Sequence, residues 1–208
     1  MKLIENLLDP LAAELVNDLQ WIPLNDLFEA PSNNSDSYKD LQEYPVVIAG
    51  EGPPLLLLHG FDSCFLEFRR LVPLLKKYHQ LIIPDMFGFG FCPRPQNVSY
   101  GSEIIFNHLD AILDQVVNAP SLGVIGASMG GAVSMEVARR HPKKVNRLLL
   151  LSPAGLTGKP MPIPPLLDQL GVWFLSRPEV RRSLCRQAFA NPDTSVGDPE
   201  NQIASIHL

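Results

Sequence analysis

A chain of 208 residues, 46% hydrophobic and 19% charged, can bury one substantial core and is too apolar to be disordered. Its net charge of -5 carries no basic block, which removes electrostatic support for a nucleic-acid partner. Three scattered cysteines (Cys64, Cys92 and Cys185) form neither a disulfide framework nor a zinc-ligand pattern, and no apolar run is long enough to span a membrane. The start, Met1–Asn6, lacks the apolar stretch of a signal peptide, so a cytoplasmic protein without metal or cofactor is expected.

In chain order, Ile4, Leu7, Leu8, Leu11, Leu15, Val16 and Leu19 recur at helical spacing and predict an amphipathic N-terminal helix. Its acidic polar face suits a helix lying on its own domain better than one lying on a membrane. A polar linker, Pro31–Ser37, closes an N-terminal region of residues 1–40. Strands are then predicted at Tyr44–Ala49 and Pro54–His59, and a helix over Phe65–Tyr78 in which Pro73 must fall at an end or a kink. A strand over Gln80–Asp85 precedes a helix over Ser102–Val117, with Ser102 as its N-cap. Leu122–Ile125 reads as a strand, Met129–Arg140 as a helix stopped before Pro142, and Val145–Leu151 as a strand.

Short apolar strands alternating with helices predict an α/β fold over residues 41–157, a mostly parallel sheet with helices on both faces. Beyond Ser152 the pattern changes. Prolines interrupt the chain, and helices are expected at about Pro165–Leu175 and Pro178–Phe189, with no strand signal, making 158–208 a separate helical region.

Gly126-Ala-Ser128-Met-Gly130 follows the strand Leu122–Ile125 and opens a helix. A strand–turn–helix corner of the form G-x-S-x-G exposes a serine hydroxyl at the carboxyl edge of a sheet, with glycines relieving contacts that side chains could not make. By chance this five-residue pattern is common, so its neighbours carry the weight. The strand ending Leu58-His59-Gly60-Phe61 brings backbone amides to the same edge, and Pro84-Asp85-Met-Phe-Gly88-Phe-Gly90 adds a glycine-rich loop after the next strand. Nucleotide binding fits poorly. The glycine-rich stretch lacks a P-loop lysine and does not match G-x-G-x-x-G.

Taken in order, LLLLHGF, PDMFGFG and GASMGG resemble the α/β-hydrolase fold, and more narrowly its cofactor-free serine hydrolases: carbon–carbon bond hydrolases, small esterases and haloperoxidase-like enzymes. The resemblance covers about Val46–Gly155. It implies that Ser128 is a nucleophile and that the amides of Phe61 and Met129 form an oxyanion hole. It also implies a structural role for Asp85 and a helical cap starting in the proline-rich tail. Serine rather than aspartate at position 128 disfavours dehalogenase and epoxide hydrolase chemistry. The substrate implied is a small carbonyl compound: an ester, an amide or a β-diketone-like molecule. In the cap, Leu167, Leu170, Trp173 and Phe174 would either face the site or pack the cap onto the core. Cys64 and Cys92 would line the pocket or be ordinary buried thiols.

The family's triad continues with an acid and then a histidine after later strands. His59 lies in the HG motif, His79 precedes a strand, His108 and His141 read as surface residues, and His207 is next to last. The loop after Val145–Leu151, Ser152-Pro-Ala-Gly-Leu, holds no carboxylate. The expectation is therefore a truncated hydrolase lacking its acid and base, completed by a C-terminal segment or a homo-oligomer. An inactive binding protein on the same fold is the alternative.

Overall fold

The computed structural model describes residues 6–24, 42–95, 100–156, 177, 179–180, 183, 186 and 191–206. The predicted linker, Cys185, His207 and the four apolar residues assigned to the cap lie outside the described residues. The chain divides into two compact units, Asn17–Gly155 and Met1–Val16 with Leu156–Leu208.

The first unit is built on a six-stranded sheet: β1 (Leu19–Leu24), β2 (Gln42–Ala49), β3 (Pro54–Leu58), β4 (Gln80–Pro84), β5 (Leu122–Ala127) and β6 (Val145–Leu151). The strand order is β1-β2-β4-β3-β5-β6, with β1 and β2 antiparallel to their neighbours and β4, β3, β5 and β6 mutually parallel. The sheet is the mostly parallel one the alternation predicted. A strand at Leu19–Leu24 was not expected, because its apolar residues extend the helical spacing of the preceding segment. Pro23 is tolerated there because β1 lies at the sheet's edge, where a missing N–H breaks no internal ladder.

The remaining elements are helices. In the second unit, α1 spans only Pro10–Val16. The missed signal is Asp9-Pro10. The Asp9 carboxylate accepts from Leu11 N at 2.9 Å and more weakly from Ala12 N at 3.4 Å, capping a helix whose first position is a proline. The predicted helix over Phe65–Tyr78 is instead a 3-10 turn (Phe65–Phe68) and a short α2 (Val72–Leu75) with Pro73 in its first turn. α3 is Ser102–Val116, but Gly101 rather than Ser102 is its N-cap. α4 (Met129–Arg140) packs on β5 and β6. Two short helices, α5 (Pro192–Ser195) and α6 (Asp198–Ile203), belong to the second unit. No described helix is long and apolar enough to cross a membrane.

The core gathers Val46, Leu56, Leu58, Ile82, Leu109, Ile112, Val124 and Val137, so β2–β5 are packed against both α3 and α4. This rigid centre fixes the carboxyl ends of three parallel strands, where the loops of interest begin.

Candidate active site

Ser128 directly follows β5, and its backbone has φ 51° and ψ -117°. A side chain in that region is strained, and such strain persists only where the surroundings enforce it. Here they do. Ser128 N donates to Leu151 O at 3.0 Å, while Ser128 O accepts from Gly131 N at 3.0 Å and from Ala154 N at 2.8 Å. The corner is thus tied both to its own helix and to the chain leaving β6. Asp62 and Ser152 are the other described non-glycine residues with positive φ, and each lies just beyond the end of β3 or β6. Backbone strain therefore gathers at one rim of the sheet.

Close approach explains the two glycines that frame the corner. A Cβ on Gly130 would lie 2.1 Å from Leu58 O, and one on Gly126 would lie 2.3 Å from Gly130 O. Both collisions are with backbone, so neither position admits any other residue without moving β3 or α4. The Ser128 side chain is exposed at the first turn of α4, where partial positive charge and free N–H groups collect.

The loop after β3 reaches the same place. A Cβ on Gly60 would lie 3.5 Å from Ser128 Cβ. His59 is fully buried; its Nε2 accepts from Met86 N at 3.0 Å, which leaves the proton on Nδ1 to donate to Gly60 O at 2.8 Å. The neutral ring thus braces the β3 and β4 loops against each other. Phe61 is 63% exposed, and its ring stands edge-on to Phe89, 5.6 Å between centroids. Among the described residues, neither Phe61 N–H nor Met129 N–H donates to a protein acceptor.

Asp85 lies fully buried beneath the rim and accepts from Phe65 N at 2.6 Å and Phe91 N at 2.7 Å. Burial pushes its carboxyl up to about 7, while the Phe91 and Phe65 amides and Arg94 pull it down. Its oxygens are spent on backbone, so it organises two loops. Cys64 and Cys92 are both buried, with thiol pKa values pushed well up by burial and by Asp85, which makes them inert packing groups.

The histidines sort plainly. His79 contacts Pro53 O at the start of β4, and His141, at the far end of α4 from Ser128, pairs with Asp110 at 2.7 Å. His108 corrects the expectation of a surface residue. It is fully buried, 4.8 Å from the Tyr44 ring, with neither ring nitrogen hydrogen-bonded, and burial lowers its pKa to about 3. The α3 stripe is wider than its leucines and isoleucines suggest, since His108 lies one turn before Ile112. Among the described residues, Ser128 Oγ makes no hydrogen bond to a histidine or carboxylate. Nor do they contain a cluster of His, Cys, Asp or Glu able to hold a metal ion. Glu67, which sequence reading did not single out, accepts from Gly60 N at 2.8 Å.

Residues 53–198 match the family described as alpha/beta hydrolase fold. The chain is 33% identical over 144 residues to the 2-hydroxymuconate semialdehyde hydrolase of Pseudomonas sp. (strain CF600), covering 68% of this chain and 50% of that protein. It is 41% identical over 115 residues to Lipase 1 of Psychrobacter immobilis, covering 55% of this chain and 35% of that one. Among solved structures, the meta-cleavage product hydrolase CumD of Pseudomonas fluorescens IP01 superposes with a TM-score of 0.65 at 26% identity, over 79% of this chain and 60% of that one. The chain thus spans half the length or less of these curated relatives.

Proposed function

Because this chain belongs to the α/β-hydrolase fold family, we propose that it is a serine hydrolase that opens a small ester, amide or carbon–carbon bonded carbonyl substrate through an acyl-enzyme on Ser128. The observation that carries this reading is the strained, exposed Ser128 at the start of α4, with two undonated amides at the same rim. Relatives named as a semialdehyde hydrolase and a lipase support the substrate classes.

In this reading Ser128 Oγ attacks the carbonyl carbon, and the carbonyl oxygen takes the electron pair. Phe61 N–H and Met129 N–H donate to that oxyanion. Removing one such donor typically raises a barrier by ~3–4 kcal/mol. Collapse expels the leaving group with a proton, and water then releases the acyl group. The step requires a base for the Oγ proton. We assign none among the described residues: both ring nitrogens of His59 are bonded, His79 Nδ1 contacts Pro53 O, His141 Nε2 pairs with Asp110 at the far end of α4, and those of His108 are enclosed. The match to half or less of the two curated relatives named above supports placing the acid and base on polypeptide outside these 208 residues.

The same gap favours a second reading, a binding protein that keeps the fold without turnover. A fluorophosphonate probe separates the two. Hydrolase chemistry predicts one adduct on Ser128, lost in Ser128→Ala, and turnover of a p-nitrophenyl ester. A folded chain that takes no adduct, even with any adjacent coding segment restored, leaves the binding reading.

A further inference from the structure

Gly60 is held from both sides. Its N–H donates to Glu67 Oε2 at 2.8 Å, and its carbonyl accepts from His59 Nδ1 at 2.8 Å. A trans peptide is planar, with its C=O and N–H pointing in opposite directions, so the bond to the Gly60 carbonyl also sets the direction of Phe61 N–H. The bond to Gly60 N–H fixes the preceding peptide plane. Together they restrain the loop at Gly60, where an added Cβ would lie 3.5 Å from Ser128 Cβ.

Glu67 is well rooted for this task. It lies in the 3-10 turn whose other members, Phe65, Leu66 and Phe68, are buried, and Phe65 N is itself held by Asp85. The carboxylate also accepts from the Ser63 side chain, and burial raises its pKa against the pull of the Gly60 amide. A carboxylate is a stronger acceptor than water for a partly buried amide, and its loss would leave Gly60 N–H to a weaker partner. The carboxylate is committed to the loop on which Phe61 sits, which gives it a task other than taking a proton from Ser128.

We propose that Glu67 is a positioning residue: by accepting Gly60 N–H it holds the loop so that the next amide, Phe61 N–H, stays unpaired and directed toward the oxygen formed when Ser128 attacks a carbonyl. The proposal rests on the roles given above to Ser128 and Phe61, and it adds a residue that no motif marks.

The test uses the full chain with Glu67→Ala and Glu67→Gln, each checked for an unchanged melting transition. Glutamine keeps an acceptor oxygen without the charge; alanine does not. The rate of Ser128 fluorophosphonylation is expected to fall roughly 10-fold or more in Glu67→Ala, short of the ~100-fold or greater loss of a whole oxyanion donor. It should stay within about threefold of wild type in Glu67→Gln, whose acceptor is retained. Hydrogen exchange at the Gly60 amide should accelerate roughly 100-fold in the alanine variant alone, because local opening loses its hydrogen-bonded stop. Equal labelling in wild type and Glu67→Ala, or equal slowing in both variants, overturns the proposal. If wild type itself is never labelled, even with any adjacent coding segment restored, the hydrolase reading fails, and exchange alone then decides: faster Gly60 exchange in Glu67→Ala and not in Glu67→Gln upholds the clamp, and unchanged exchange removes it.

Discussion

The closed centre of the sheet and its β6 edge invert the usual distribution of polarity. Inside, His59, Asp85 and His108 are completely enclosed, whereas on β6 the apolar Leu148, Leu149 and Leu151 are exposed. Ile125 and Leu149 are register partners on adjacent parallel strands, yet one is 7% exposed and the other 53%. Residue type does not separate them. Position does: β5 has a strand on each side, while β6 has one neighbour among the described strands. Enclosure follows from how many elements surround a position, and polar groups survive there when backbone amides or aromatic rings replace water.

Breaking the centre should show the largest effect. Ile125→Asp is expected to cost more than about 4 kcal/mol and to abolish cooperative unfolding in urea, because it buries an unpaired charge. Its register partner tests the contrast: Leu149→Asp should cost less than about 1 kcal/mol. Equal losses at both positions would mean that β6 is not an open edge in solution.

The next effect is acid sensitivity. His108 titrates near 3 when folded, against an ordinary value of about 6.5, so the unfolded chain binds more protons between those limits. Stability that His108 provides above pH 6.5 is therefore lost as pH falls toward 3, by roughly 4 kcal/mol across the window. Asp85 acts in the opposite sense. With its folded pKa raised to about 7, its contribution is present below the ordinary aspartate value and is lost as pH rises through 7. Denaturant midpoints from pH 4 to 7 should show His108→Phe gaining on wild type as pH falls. A constant difference between the two would mean that His108 is not protonated on unfolding.

A smaller effect is expected at the seam between the two regions. Ser128→Gly should stabilise the chain by about 1 kcal/mol, since glycine accepts positive φ and a strained corner relaxes. A loss of stability would mean that the hydroxyl contributes more than its backbone costs. Smallest of all, Leu149→Lys should leave the melting point within a degree or two, a change of roughly 0.5 kcal/mol or less. It should also reduce self-association in light scattering, because a charged edge resists strand pairing.

Legibility followed the range of the forces involved. The parallel strands, α4, and the placement of Ser128 at a strand–helix corner were readable because each depends on neighbours close in sequence. The short extent of α1 was also written locally, in Asp9-Pro10, but helical spacing that ran on into β1 masked it. Glu67 was not legible. Its partner, Gly60, is seven residues away, and the bond exists only because the 3-10 turn folds back beneath the loop. His108 was misjudged because a polar residue beside an apolar stripe is buried or exposed according to what packs there, here Tyr44 and Phe87.

The sequence by itself determined an alternating α/β chain with a glycine-framed serine after a buried strand, since short-range sterics and hydrophobic periodicity are properties of neighbouring residues. Only the tertiary structure decided that Gly60 lies beside Ser128, that Glu67 and His59 both bond to Gly60, and that four consecutive leucines lie on a strand with one neighbour among the described strands. Those outcomes depend on which distant segments are brought side by side, and no local pattern encodes that.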